Sequence, residues 1–267
     1  MAKVSRHSQE LSASPERQAR GRSWQRWLAA GADLLFPQVC IHCQREINVA
    51  TDAILLCGPC RQAFEDSRPV CPVCGAGLPE NSPVDESCLH CRGSRFKFSK
   101  VVALGDYSGS LKPAILLAKH SINVALAMHL GRLLAERRHT ELHNLEADAV
   151  VAVPSFWTRR SKHGHNSAEV LSSEVARRLR LPVAENLLIR TRATRPQTEL
   201  TPPERRANVR GAFSVRRHPD LPGARLLLVD DVLTTGSTAS ESSKALLKAG
   251  AAAVVVAVLA RAVGDRP

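Results

Sequence analysis

Aromatic residues are scarce in this chain: they make up 4% of its 267 positions, with a single tyrosine. A core must then be packed from aliphatics, and a 44% hydrophobic share rich in Leu, Val and Ala supplies them. No apolar run approaches the roughly 20 residues that a membrane helix needs, which excludes a spanning segment. The opening stretch MAKVSRHSQELSASPERQARGRSW is polar and basic and lacks the apolar centre of a secretory signal, so a cytoplasmic protein is expected. Acidic residues are outnumbered, 25 against 37 Lys and Arg, leaving a formal charge of +12 and a pI near 9.9. That balance favours anionic partners: phosphorylated metabolites, nucleic acid or a membrane surface. Solubility alone is the plainer explanation, and charge by itself does not choose between them.

Cysteine is absent everywhere except between Cys40 and Cys91, and all eight cysteines there fall into C-x-x-C pairs. Cys40/Cys43 precede Cys57/Cys60, and Cys71/Cys74 precede Cys88/Cys91, with thirteen residues between the members of each couple (44–56 and 75–87). The equal spacing describes one unit occurring twice. Two such pairs per unit suit a tetrahedral four-thiolate zinc site, and disulfides are disfavoured in a cytoplasmic setting. Two structural zinc ions held by successive couples are expected; cross-bracing of the first couple with the third is the alternative, and an iron–sulfur cluster fits less well. Pro72 and Gly75 shape the CPVCG turn. His42 and His90 lie inside the loops, but the cysteines already complete two sites. A glutamine-hydrolysing activity would need an activated cysteine nucleophile, and none is left over.

Along the chain, residues 1–22 read as a disordered basic tail. Residues 23–37, SWQRWLAAGADLLFP, read as a lead helix with Trp24, Trp27, Leu28, Leu34 and Leu35 on one stripe, a core or domain-docking surface with a membrane-surface helix as alternative. Residues 38–93 are the cysteine segment. From 100 to 262 the pattern is that of an α/β domain. KVVALGDYSG reads as strand and turn; INVALAMHLGRLLAERR places Ile122, Ala125, Leu126, His129, Leu130, Leu133 and Leu134 on one helical face, with His129 in the core. ADAVVAVP and ARLLLVDDV are doubly buried strands, AEVLSSEVARRLRL is an amphipathic helix, residues 237–249 form a helix closed by Gly250, and AAAVVVAVLAR is a last strand. Alternation of this kind implies a mostly parallel sheet covered by helices on both faces.

The stretch LLLVDDVLTTGST ends one of those strands with Asp230 and Asp231. Ligands of open parallel sheets sit at such carboxyl ends. The following Val232, Leu233, Thr234, Thr235, Gly236, Ser237 and Thr238 turn into a helix whose first N–H groups attract anions. Gly236 allows close backbone approach, and the hydroxyls add donors. Adjacent acids repel each other unless they face a metal, a sugar diol or a basic group. A strand, a loop and a Thr or Ser N-cap with two solvated aspartates is the plainer alternative; the aliphatics before and T-T-G-S-T after favour a ligand with a phosphate at one end and hydroxyls at the other.

LLLVDDVLTTGST resembles the phosphoribosyl pyrophosphate (PRPP) signature of type I phosphoribosyltransferases. The resemblance implies that Asp230 and Asp231 take the ribose hydroxyls and that Thr234 to Thr238 take the 5′-phosphate. It extends to the ComF family of competence-associated phosphoribosyltransferase-like proteins, through LLFPQVC (34–40), YSGSLKPAILLAK, VAVPSFWTRR, RATRPQTEL and RRANVRGAF. The match runs from about residue 33 to 262. It departs at HGHNSA, where His163, His165 and Ser167 stand in place of the family's usual Arg, Phe and Gln, while Gly164 and Asn166 remain. What this implies is a type I phosphoribosyltransferase fold carrying an N-terminal double zinc ribbon, Mg²⁺-dependent use of PRPP or a related phosphosugar, and a link to natural competence, DNA uptake and DNA-processing proteins.

Departing pyrophosphate needs positive groups already in place. Pro154, Arg159, Arg160 and Lys162, in the loop after ADAVVAVP, are positioned to supply them, with a solvated basic turn as the alternative. Residues 190–217 carry eight arginines (190, 192, 195, 205, 206, 210, 216 and 217) against Glu199 and Glu204. Pro196, Pro202 and Pro203 forbid regular structure in the middle of this segment, so it reads as a candidate lid that includes Arg205 and Arg206, and the resemblance implies that it is the family's flexible loop. The same arginines could instead contact single-stranded DNA. Two functions follow: transfer of ribosyl 5-phosphate to a nucleophilic acceptor, or a non-catalytic PRPP-regulated DNA-binding module.

Overall fold

The computed structural model describes residues 38–47, 54–65, 68–79, 88–155, 165–195 and 200–262. The basic tail, the lead helix and the stretch holding Arg159, Arg160, Lys162 and His163 lie outside the described residues.

Four apolar runs form one parallel sheet. β1 (Val101–Asp106), β2 (Ala149–Ala152), β5 (Arg225–Leu233) and β6 (Ala253–Arg261) align in the order β1-β6-β5-β2. Strand residues point alternately to the two faces, so a strand covered on both sides must be apolar at every position. In β5, Leu227 and Val229 enter one core while Leu226 and Leu228 enter the other. β6 divides in the same way, with Ala257 and Leu259 opposed to Val254, Val256 and Val258.

Helices α2 (Leu111–Ala118), α3 (Val124–Arg137) and α5 (Ser167–Leu179) cover the first face. The short α4 (His139–His143) follows α3. Gly131 lets α3 and α5 approach closely: a Cβ there would lie 3.1 Å from Glu174 Cβ and 3.3 Å from Leu171 Cα. The expected apolar face of α3 holds for Leu126, His129, Leu130, Leu133 and Leu134. It fails for Ile122 and Ala125. Ile122 sits in a 3₁₀ turn (Ser121–Asn123) that precedes the helix, so the helical phase does not apply to it, and it is 89% exposed; Ala125 is also exposed.

The second face is covered by α7 (Ser237–Lys248) and a small antiparallel ladder of β3 (Leu188–Arg190) and β4 (Phe213–Val215). Between these strands lies α6 (Pro202–Val209). Regular structure in this segment corrects the irregular loop expected from its prolines. Pro202 and Pro203 occupy the first turn, where no intrahelical N–H partner is needed, and Thr201 and Glu204 form a capping box ahead of them. A proline pair that would break a helix interior here begins one.

The cysteine segment repeats in space as it does in sequence. Cys40 and Cys71 donate their N–H groups to Arg45 and Ala76, each at 2.8 Å, and the isolated bridges Val39–Glu46 and Val70–Gly77 flank them. Gln44 and Gly75, at matching positions, share a left-handed backbone with φ of 61° and 67°. After the second pair the copies diverge: the first continues into α1 (Gly58–Phe64), the second into turns. Ile54, Leu56, Cys57, Cys60 and Phe64 merge with Leu104, Leu111 and Leu134 into a single core, whereas the second copy closes a small core of its own. Among the described residues no single helix is long and apolar enough to cross a membrane.

Candidate sugar-phosphate site and the two cysteine clusters

β5 carries Asp230 and Asp231 past the point where β2 gives out, so both are only half-buried in a strand that is apolar from Leu226 to Val229. The N–H of Asp231 donates to Asp230 Oδ1 at 2.9 Å. Burial, followed by the neighbouring charge of Asp231, pushes the Asp230 carboxyl up from 3.8 to about 7. Lys119, just after α2, places its Nζ 3.0 Å from Asp231 Oδ2. The charge of Asp231 in turn holds the Lys119 ammonium above its ordinary range. The acids are thus treated differently: one shares an ion pair and the other is poised to keep its proton near neutrality.

Sequence reasoning assigned no role to Lys119, although the YSGSLKPAILLAK segment contains it. Its backbone is fixed from the HGHNSA segment. His165 Nε2 lies 3.1 Å from the carbonyl of Ala118, and Ser167 Oγ donates to the same carbonyl at 3.5 Å. Asn166 caps α5 by accepting from Ala168 N at 3.2 Å, and its Nδ2 donates to Val153 O at 3.1 Å, tying this loop to Pro154. The substituted histidine and serine therefore support the lysine beside the acids.

Beyond Leu233 the chain turns sharply. Gly236 has φ of 74°, and a Cβ on it would fall 2.8 Å from Phe96 Cε1. Gly236 itself is the N-cap of α7, without a side-chain cap, so the Thr or Ser cap considered from sequence is not formed. Thr235 Oγ1 instead pairs with Ser237 Oγ at 2.7 Å. The N–H groups of Thr234, Thr235 and Gly236 have no acceptor among the described residues. Three backbone donors thus stand open at the start of a twelve-residue helix, an arrangement whose chemistry suits an anion.

The expected basic groups are only partly assembled. Arg205 and Arg206 ride on α6, which packs beside α7, and Arg205 Nε is committed to Leu200 O at 2.9 Å. Arg190, stacked 5.4 Å over the Phe213 ring, extends its charge to Asp230.

In the ribbon, the sulfurs gather as Cys40, Cys43, Cys57 and Cys60, and as Cys71, Cys74, Cys88 and Cys91. Successive couples therefore combine, and cross-bracing is not formed. Within each cluster all ligand atoms lie within 4.8 Å of one another. Individual separations are 3.6 Å for Cys43–Cys57, 3.4 Å for Cys74–Cys88 and 3.7 Å for Cys71–Cys91. A tetrahedral Zn–S distance of about 2.3 Å requires neighbouring sulfurs about 3.8 Å apart, whereas a disulfide requires about 2.05 Å. The clusters fit zinc. Burial raises the Cys71 thiol, but backbone donors from Cys74, Cys88 and Val73 outweigh it and bring the group down to about 7. Loaded with metal, the clusters would be fully deprotonated.

Two family models match the chain: a double zinc ribbon domain over residues 31–92 and a phosphoribosyl transferase domain over residues 121–267. Competence protein F of Haemophilus influenzae is 34% identical over 227 residues, covering 84% of this chain and 96% of that protein. The chain belongs to the ComF family. A second member, DNA utilization protein YhgH of Escherichia coli K12, is 33% identical and covers 85% of this chain and 99% of the relative. The architecture is accordingly a type I phosphoribosyltransferase domain with an N-terminal double zinc ribbon. Among solved structures, the glutamine PRPP amidotransferase of B. subtilis is 28% identical with a TM-score of 0.34, covering 49% of this chain and 25% of that one. Adenine phosphoribosyltransferase of Leishmania tarentolae is 17% identical with a TM-score of 0.34, covering 60% and 91% respectively.

Proposed function

We propose that this ComF-family protein binds PRPP or a closely related phosphosugar and transfers ribosyl 5-phosphate to a nucleophilic acceptor in the cytoplasm. The observation that carries the reading is the pair Asp230 and Asp231 at the end of β5, followed by three open N–H groups at the start of α7. Acceptors for a diol and donors for a phosphate follow one another along the chain, the two chemistries a ribose 5-phosphate presents. Asp230 and Asp231 hold the ribose hydroxyls, and Thr234 to Thr238 wrap the 5′-phosphate. Lys119 pairs with Asp231 and orients it.

In the transfer, the C1–oxygen bond to pyrophosphate breaks and the acceptor's electron pair forms the new bond to C1. Mg²⁺ bound with PRPP would neutralise the departing pyrophosphate. Arg159, Arg160 and Lys162, which follow Pro154 in sequence, and Arg205 and Arg206 of α6 are the cations proposed to meet that group. The names of the relatives, competence protein F and DNA utilization protein, support a place in DNA uptake or processing.

Calorimetric titration of PRPP with Mg²⁺ tests this directly. The zinc-loaded protein is expected to bind, and the Asp230→Asn/Asp231→Asn double variant is expected to lose binding by at least about 100-fold, as when two charge-assisted contacts are removed. Equal heats from both proteins would reject the site.

A second reading, a PRPP-regulated module that binds single-stranded DNA, is favoured by the exposure of Arg192, Arg195, Arg206, Arg210, Arg216 and Arg217. An oligonucleotide affinity that falls steeply with salt, without PRPP turnover, would establish it.

A further inference from the structure

Arg261, the last residue of β6, is 4% exposed and therefore carries a buried charge. Its guanidinium spans two parts of the protein that are remote in sequence. Nε donates to the carbonyl of Cys74 at 2.9 Å, and Nη1 donates to the carbonyl of Leu233 at 3.0 Å and to those of Thr234 and Ala262. One side chain thus joins a ligand of the second cysteine cluster to the backbone of the phosphate loop.

The consequence for the loop follows from peptide geometry. The chain contains no cis peptide among the described residues, and in a trans peptide the C=O and the following N–H point in opposite directions. With the carbonyls of Leu233 and Thr234 turned toward Arg261, the N–H groups of Thr234 and Thr235 are turned away from it. Phe96, packed on the second cluster, fixes the loop from another side at Gly236, and Lys97 N donates to Ser240 Oγ in α7 at 3.2 Å.

Electrostatics gives this bridge a direction. Four thiolates around one zinc ion leave a doubly negative centre. Arg261 stands close enough to act on Cys74 with its charge, so a loaded cluster supplies the counter-charge that a buried guanidinium needs. Without the ion, that fixed centre beside Arg261 is lost.

From these contacts we infer that Arg261 is a positioning residue that couples zinc in the second ribbon to phosphate binding: the loaded cluster holds Arg261, and Arg261 holds the loop's donors toward the ligand. The inference rests on the sugar-phosphate reading above. Coupling of this kind is reciprocal, so PRPP must also tighten zinc in the second cluster. The first cluster has no such bridge among the described residues and serves as an internal control.

The test is alkylation of the zinc-loaded full chain by N-ethylmaleimide in the presence of a zinc-selective chelator and excess Mg²⁺, followed by peptide mapping, with and without saturating PRPP. Expected is a slowing of about tenfold or more at Cys71, Cys74, Cys88 and Cys91, with less change at Cys40, Cys43, Cys57 and Cys60. Arg261→Met is expected to weaken PRPP binding about tenfold and to abolish this protection. Arg261→Lys, which keeps the charge but cannot span the carbonyls, should restore only part of it. The wild-type comparison stands even where a variant folds poorly. PRPP heat with unchanged alkylation would overturn this inference alone; no PRPP heat from zinc-loaded wild type would overturn the sugar-phosphate reading and this inference with it.

Discussion

Asp230 is placed where it costs stability. Burial and the charge of Asp231 raise its carboxyl from 3.8 to about 7, so between those values the native state holds a proton that the unfolded chain has released. The stability this contributes is full near pH 4 and is lost as pH climbs to about 7. Replacing the group with a neutral amide removes the penalty. Asp230→Asn is therefore expected to be more stable than wild type at pH 8 by ~1–3 kcal/mol, with the gain shrinking toward pH 4, while phosphosugar binding is lost. Thermal unfolding of both proteins across that range measures it, and a gain over wild type no larger at pH 8 than at pH 4 would contradict it. Glu174 behaves oppositely. Its burial would raise it, but hydrogen bonds from Arg132 and Arg177 prevail and hold it below 4.5. Its contribution is present above 4.5 and disappears as acid protonates it.

At the scale of elements, the turn between β5 and α7 is the narrowest constraint. Gly236 combines a left-handed φ with Phe96 in the space a Cβ would fill. Gly236→Ala should cost ~1–2 kcal/mol in chemical denaturation and weaken PRPP binding about tenfold. Adding Phe96→Leu should recover part of the stability, because it relieves the clash and not the φ. This turn, the four parallel strands and the cysteine pairs were legible from sequence because each rests on local pattern: a continuous apolar run, a glycine after two threonines, a fixed spacing of thiols. Lys119 and Arg261 were not, because their importance arises from partners 112 and 187 positions away. β3, α6 and β4 were hidden for another reason. Proline reads as a breaker unless the boundary of the helix is already known, and a three-residue strand leaves too short a trace for any period.

Over the whole molecule, the two zinc ribbons are unequal. The first shares its apolar residues with α2, α3 and the sheet, so the α/β domain lacks a complete core without it. Cys57→Ser should lower the midpoint of the entire chain by about 5 °C or more in one transition, since loss of a buried metal site is among the larger single perturbations. The second ribbon closes on itself. Cys88→Ser should spare most of that stability and act instead on phosphosugar affinity. Calorimetric scans of both variants separate these outcomes.

Before any ligand arrives, the pocket already contains its own neutralisation: Lys119 answers Asp231, and Asp230 is poised to keep its proton. A bare divalent ion meets little net attraction there. On the proposed function, the metal is expected to enter as a complex with the phosphosugar and not ahead of it. Magnesium titrated alone should give no heat, and raising the pH well above 7, where Asp230 ionises, should be the condition that first reveals any.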